Sequence, residues 1–192
     1  WKRDGLVGIN FTQVSLSNWS AGGQNSISGM AMFKYFANYT KGKNTWDNSF
    51  DIAYGLTQNG DDDPIKSEDK IDISTKYGRY AFKHLYYSAL LGFKSQFTEG
   101  YNYPNDSVKI SNFMAPGYVM LALGMDYKPN DNFTMMISPL ASRFIFVNDQ
   151  DLADIGSFGV TPAEYDALGI KVKDGETFKY EFGALLKAVY KK

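Results

Sequence analysis

The sequence predicts an all-β fold: an antiparallel, up-and-down transmembrane β-barrel with about eight strands in the visible chain. Segments of roughly ten residues alternate apolar with polar or small side chains, as in residues 71–77 and 118–127. Aromatic residues are abundant (14 Tyr, 14 Phe and 3 Trp), and the Tyr and Trp residues lie mainly near segment ends. Short and long connections alternate along the chain. No apolar run approaches the ~18 residues of a membrane helix.

The alternating segments give the predicted strands in order. They lie near residues 6–18, 26–40, 46–58, 69–82, 85–98, 117–128, 132–147 and 176–190. Tight turns are expected at 40–44, 83–84 and 128–132, where Gly, Asn and Pro supply turn conformations. Longer connections are expected at 59–66, 99–116 and 148–175. Short turns on one rim and long loops on the other are typical of outer-membrane barrels.

Two local signals modify this pattern. Pro139 follows Ser138 inside the seventh strand, which predicts a bulge or the end of regular pairing there. In the longest connection, Thr161 suits an N-cap, Glu164 the third helical position and Gly169 a helix end. A short helix over residues 161–169 is therefore expected, covering one rim.

The polar face of the predicted strands carries charges of both signs. These lumen-facing residues are Lys34, Asp51, Asp72, Lys76, Lys94, Asp126, Glu181 and Lys187. In a narrow barrel they must pair, because an unpaired buried charge costs several kcal/mol. Bulky inward side chains such as Phe36 and Tyr86 indicate a filled interior at eight strands, whereas twelve strands would leave a passage.

Composition excludes several classes of function. The net charge of -1 gives no basic field, so no nucleic-acid partner is expected. Cysteine is absent, which excludes disulfides, thiolate zinc sites and thiol catalysis. His84 is the only histidine and falls in a tight turn, and no nucleophile elbow or phosphate-binding loop occurs. No catalytic residue and no cofactor are predicted.

Loop residues supply the remaining candidate sites. Asp61, Asp62 and Asp63 are carboxylates that suit a hard cation, but their spacing matches no EF-hand and a solvated acidic loop is the simpler explanation. Aromatic loop residues favour recognition of a sugar or a partner, and as girdle aromatics they need no such role. The candidates are Trp19, Tyr101, Tyr103 and Phe113.

Several motifs together carry a family resemblance. They include residues 18–26 (Asn-Trp-Ser-Ala-Gly-Gly-Gln-Asn-Ser), 46–48, 97–101, 111–118 and 124–129. The chain resembles an uncharacterised family of outer-membrane β-barrels from Bacteroidota, known only as a domain of unknown function. The resemblance implies a location and a fold, and it implies no activity.

The resemblance also implies a longer protein. Members of that family continue with further strands to about twelve, an even number of the kind outer-membrane barrels use. Residues 1–192 are therefore expected to form a single outer-membrane β-barrel domain that lacks its C-terminal strands.

The sequence is compatible with four functions. We expect a non-enzymatic structural or accessory subunit of an outer-membrane complex in a Gram-negative bacterium, in contact with the lipid bilayer, lipopolysaccharide and other outer-membrane proteins. A small-solute channel is the alternative. A barrel lipid hydrolase would need His84 beside a serine. A soluble ligand-binding barrel would turn its apolar face inward.

Overall fold

The computed structural model describes residues 1–16, 23–130 and 132–190. Twelve strands, numbered β1–β12, occur in this part of the chain, and eight of them are long. The long strands are β1 Lys2–Val14, β2 Ser26–Lys41, β3 Asn44–Asn59, β4 Ile65–Phe82, β5 Leu85–Ser95, β8 Gly117–Asn130, β9 Phe133–Phe146 and β12 Phe178–Tyr190. The short ones are β6 Gly100–Asn102, β7 Asn105–Ser111, β10 Glu164–Tyr165 and β11 Lys171–Lys173. The predicted all-β class is confirmed.

The eight long strands form one antiparallel sheet in the order β1-β2-β3-β4-β5-β8-β9-β12. Each long strand pairs with the next long strand along the chain, as an up-and-down arrangement requires. The predicted strands coincide with these eight. The main difference is in β1, which ends at Val14; the predicted end at residue 18 lies outside the described residues.

The sheet curves strongly, but no ladder joins β1 to β12 within the described residues. Among the described strands, the sheet is therefore open between β1 and β12. The curvature is evident from a cavity of about 430 Å³ whose walls come from seven of the eight long strands, from β2 round to β12. We call the face of the sheet that lines this cavity concave and the opposite face convex.

Two neighbouring rows of paired residues show how the faces differ. One row on the convex face is apolar or aromatic across seven strands: Tyr35, Phe50, Ile73, Phe93, Val119, Phe144 and Tyr180. The next row, on the concave face, begins with four charged residues: Lys34, Asp51, Asp72 and Lys94. Directly paired residues share a face, and a shift of one residue changes the face.

The convex face carries large apolar side chains that no described residue covers. Ile9 on β1 is 82% exposed, and Leu186 on β12 is 69% exposed. Polar atoms on this face bond to one another: the Trp46 indole N–H donates to Thr75 Oγ1 at 2.6 Å, and the Thr75 hydroxyl donates to Asn48 Oδ1 at 2.7 Å. The convex face therefore presents mainly apolar surface.

A bulge in β9 keeps these faces consistent, at the position predicted from Pro139. Ser138 and Ala141 of β9 pair with Leu185 and Gly183 of β12. Between these two pairs β9 therefore contains one more residue than β12. The buried Ser138 hydroxyl lies 2.7 Å from the Leu123 carbonyl oxygen and 2.9 Å from that of Leu140.

The connection between β9 and β12 differs from the sequence prediction. The helix expected over 161–169 is wrong: this segment contains β10 and a turn. The Asp166 carboxylate accepts the N–H groups of Leu168 and Ile170 at 2.9 and 2.8 Å, a side-chain alternative to helical bonding.

A five-residue helix, α1, occurs earlier in the same connection, at Gln150–Asp154. Asp149 is its N-cap and accepts the Leu152 N–H. None of the helices in the described ranges is both long and apolar enough to span a membrane.

The β9 bulge predicts that Gly124 of β8 tolerates no side chain. A Cβ atom there would lie 2.1 Å from the Ile137 carbonyl oxygen and 2.5 Å from Ser138 Cα. We expect Gly124→Ala to lower the free energy of unfolding by about 1–3 kcal/mol, the usual cost of overpacking, measured by guanidinium unfolding followed by circular dichroism. Gly183→Ala is the matched control, because nothing lies within 4 Å of its Cβ position. Equal stability of the two variants would contradict this account.

Candidate functional site

The predicted lumen-facing residues lie on the concave face, where most have a partner of opposite charge. Lys34 Nζ is 3.7 Å from Asp51 Oδ2, and Lys94 Nζ is 2.9 Å from Asp72 Oδ2. Lys70, which the sequence interpretation missed, also pairs with Asp51. Alternation alone places Lys70 on this face, two residues before Asp72, so the signal was present.

The most deeply buried charged residue on the concave face is Asp126 of β8, which is 0% exposed. Lys76 Nζ lies 2.6 Å from its Oδ2, and Lys128 Nζ lies 3.7 Å away. Lys128 is also 3.6 Å from Asp47 Oδ2. Neither carboxylate oxygen of Asp126 has a hydrogen bond of acceptable geometry to a described group, so its compensation is ionic.

The two remaining lumen-facing candidates lie on β12 and differ in their partners. Glu181 pairs with Arg143 of β9 and with Lys179, whose Nζ is 3.0 Å from Glu181 Oε1. Lys187 lines the 430 Å³ cavity and forms no ion pair with any described residue. Arg143 was missed because β9 changes register at its bulge, which obscures the alternation.

The described loop candidates, Tyr101, Tyr103 and Phe113, occupy the rim opposite the short turns. The Tyr101 hydroxyl donates to Glu99 Oε2 at 2.5 Å, and the Tyr101 ring packs edge-on against Tyr103 with centroids 6.2 Å apart. Phe113 is 50% exposed. Trp19 lies outside the described residues. The structure therefore brings Tyr101 and Tyr103 together and leaves Phe113 apart from that pair.

The acidic candidates Asp61, Asp62 and Asp63 are exposed in the turn between β3 and β4. Asp62 and Asp63 line one side of a cleft whose other side includes Tyr101 and Tyr103. Across residues 1–16, 23–130 and 132–190, no group of three or more His, Asp or Glu side chains is arranged to hold a metal ion. The three aspartates are therefore neighbours in sequence without forming a metal centre.

A cap covers the concave face of β8 and β9 at the long-loop end. It consists of residues 112–116 and 147–177, and its apolar core joins Leu152, Ala153 and Val160 to Ile145 of β9. Ile145 shares the register row of the inward Lys94, so the cap packs on the concave side. This packing closes over that part of the interior.

Asp149 ties the cap to the β6–β7 hairpin. Its carboxylate contacts Lys109 Nζ at 2.5 Å and accepts from Asn112 Nδ2 at 2.9 Å and from the Leu152 N–H at 3.3 Å. Burial alone would raise the pKa of Asp149, but these hydrogen bonds outweigh it and hold the pKa below its ordinary value. No sequence motif predicts the contacts of Asp149 with Lys109 and Asn112, because Asn112 lies 37 residues before Asp149 in the chain and Lys109 lies earlier still.

Asp154, at the end of α1, organises the other half of the cap. It accepts from Lys171 Nζ at 2.6 Å, from Gln150 Nε2 at 2.6 Å and from the Gly175 N–H at 2.8 Å. These three bonds, led by the one from Lys171, lower the pKa of Asp154 to about 2. A Cβ atom on Gly175 would lie 2.3 Å from the Ala153 carbonyl oxygen, so this close approach requires glycine.

His84 lies in the short turn between β4 and β5, at the rim away from the cap. It is exposed and has φ 68°, and its carbonyl oxygen accepts the Lys128 N–H at 2.9 Å. Its imidazole makes no hydrogen bond to a described residue, whether serine or carboxylate. A catalytic arrangement around His84 is therefore not formed by the described residues.

This placement predicts that His84 contributes to the turn through its backbone and not through its imidazole. His84→Gly relieves a left-handed conformation that costs a residue with a Cβ about 1–2 kcal/mol, partly offset by the greater freedom of glycine in the unfolded chain. We expect His84→Gly to raise the free energy of unfolding by up to about 1 kcal/mol, measured by thermal unfolding. His84→Ala is the control, since it removes the imidazole and keeps the strain. Marked destabilisation by His84→Ala would show that the imidazole has a partner.

The cap should also respond to acid through Asp154. Its folded-state pKa is about 2, below the roughly 3.9 of an unfolded aspartate, so it contributes stability above about pH 4 that is lost as the pH falls towards 2. We expect protection of the Gly175 amide, measured by NMR hydrogen exchange, to fall over that interval. Asp154→Asn should abolish this pH dependence, whereas Asp151→Asn, which changes an exposed neighbour, should keep it. Titration of Asp154 near pH 4 in the folded protein would contradict the assignment.

Comparison with known proteins gives one likeness. A family model described as "Protein of unknown function (DUF3078)" matches residues 11–101, just under half of the chain. The matched range covers the end of β1, the whole of β2–β5 and the start of the β6–β7 hairpin. No curated protein and no solved structure was found to match. Over residues 11–101 the chain thus resembles an uncharacterised domain family, and that family's description carries no activity.

Proposed function

We propose that this chain is an integral outer-membrane β-barrel protein of a Gram-negative bacterium, with a non-enzymatic role as a structural or accessory subunit of a larger outer-membrane complex. The observation that carries the proposal is the pair of adjacent register rows, in which the apolar row faces outward and the charged row inward. A water-soluble barrel places its apolar side chains inside. Lipid is the solvent that matches the observed arrangement.

Strand length supports the same location. The eight long strands contain between 11 residues, in β5, and 18 residues, in β4. A tilted strand needs about 9–11 residues to cross the hydrocarbon core. Aromatic residues also gather on the convex face near the short turns, where Trp1, Tyr39 and Trp46 pack with ring centroids 5.0 and 5.9 Å from Trp1. Such clusters are typical of the membrane–water interface.

The accessory role rests on the edges and on the interior of the sheet. β1 and β12 have no ladder with each other in the described chain, and unpaired backbone groups are costly in lipid. Those edges therefore need strands to pair with, from the same protein or from a partner. Inside, the cap covers the concave face of β8 and β9, which favours a filled interior over a small-solute channel.

The outer rim suits contact with lipopolysaccharide. The exposed aspartates of the β3–β4 turn lie there together with Tyr101 and Tyr103. Carboxylates are ligands for Ca²⁺, and a shared divalent ion would bridge them to lipopolysaccharide phosphates. With a net charge of -1, the chain has no basic field for nucleic acid.

The absence of cysteine allows a direct test of the membrane assignment. Phe93→Cys and Lys94→Cys are neighbours on β5 that face opposite sides of the sheet. Each is labelled with bimane in the full-length protein reconstituted into vesicles. We expect brominated lipids to quench the Phe93→Cys label several-fold more strongly than the Lys94→Cys label. Equal quenching at both sites, or recovery of the protein without detergent, would overturn the membrane assignment.

The accessory role is tested by mild-detergent purification of the tagged full-length protein from native envelopes. Stoichiometric recovery of another outer-membrane protein supports it. Recovery of the chain alone, with conductance in planar bilayers, would favour the small-solute channel instead.

A further inference from the structure

We infer that the concave face holds a binding site for a small organic anion, one with a carboxylate or phosphate group and a short apolar part. The site is the cavity of about 430 Å³ near the short turns. This volume lies within the range of small-molecule sites, roughly 300–1,000 Å³. The inference depends on the cavity alone and not on the membrane location proposed above.

Positive charge predominates in the walls of the cavity. Lys76, Lys128 and Lys187 line it, and Asp47 is the one carboxylate that the described lining contains. Asp126 lies behind the wall and is bound ionically by Lys76. Among the described residues, three ammonium groups against these two carboxylates leave one positive charge in excess.

Two of the ammonium groups, those of Lys128 and Lys187, can still donate hydrogen bonds to a ligand. Lys128 Nζ is 3.6 and 3.7 Å from its two carboxylate neighbours, beyond ordinary hydrogen-bond length, and lies 5.3 Å from the centroid of the Tyr86 ring. Lys187 forms no ion pair with any described residue. An anion between these lysines would supply an acceptor that the described residues do not provide to either, with charge-assisted hydrogen bonds stronger than neutral ones.

Neutral polar groups complete the part of the site that would hold the anionic head. Ser49 and Ser74 both line the cavity, and their hydroxyl oxygens are 2.8 Å apart. Asn38 and Thr134 contribute an amide and a further hydroxyl. These groups offer donors to carboxylate or phosphate oxygens without adding charge.

Apolar side chains form the rest of the wall and limit the ligand. They are Phe36, Leu90, Met136 and Val189. A fully hydrated inorganic ion would leave this surface in contact with water, whereas an aryl or short alkyl group would cover it. A membrane lipid with two acyl chains exceeds the volume of the cavity. The chemistry thus selects a small anion with one compact apolar group.

The test is calorimetric titration of the full-length protein in a nonionic detergent. Phenyl phosphate and benzoate are the probes, with inorganic phosphate and benzyl alcohol as partial ligands. We expect both aryl anions to bind at least tenfold more tightly than either partial ligand. Absence of binding by both aryl anions, or equally tight binding of inorganic phosphate, would overturn the inference.

Matched variants separate this site from general attraction to a charged interior. Lys187→Gln should weaken phenyl phosphate binding about tenfold or more, the loss of one charge-assisted hydrogen bond. Lys94→Gln removes a concave-face lysine that does not line the cavity and should change affinity less than twofold. Circular dichroism checks that both variants fold. Equal weakening by the two variants would overturn the site and leave only non-specific attraction.

Discussion

Register is the constraint on which the rest of this structure depends. Because side chains alternate across a strand, a one-residue slip anywhere would carry charged residues to the convex face and aromatic residues to the concave one. The row from Tyr35 to Tyr180 and the row from Lys34 to Lys94 stay separate only because the seven strands from β2 to β12 in the sheet order pair without a slip at that level. The ion pairs on the concave face then follow from position, since oppositely charged residues meet where the ladder places them.

The bulge in β9 shows how this constraint is met where the chain cannot stay regular. Proline cannot donate to a ladder, so Pro139 forces a local interruption. The extra residue restores the alternation on the other side, and Met136 again faces Asp126 and Lys187 across the ladders. Ser138 and Gly124 make the close approach feasible, one by a buried hydroxyl and the other by having no side chain.

Sequence reasoning recovered the parts of the fold that depend on period-two patterning. The strand predicted at 26–40 spans Ser26–Lys41, and the bulge at Pro139 was foreseen. It failed in the long connection, where Thr161 and Glu164 match the residue pattern of a helix start without forming one. There the Asp166 carboxylate takes two backbone N–H groups, while the Thr161 hydroxyl donates to Glu176. The Lys109–Asp149 contact could not be predicted either, because it depends on how the β6–β7 hairpin and the cap meet in space.

The cap gives the curved sheet two unlike ends. At one end Leu152, Ala153 and Val160 pack onto the inner surface of β9; at the other, the cavity lies beside short turns with no comparable cover among the described residues. The concave face is therefore covered at the cap end and accessible beside the short turns. The interior of the curved sheet is asymmetric along the strand direction, and a small molecule reaches the cavity without passing the cap.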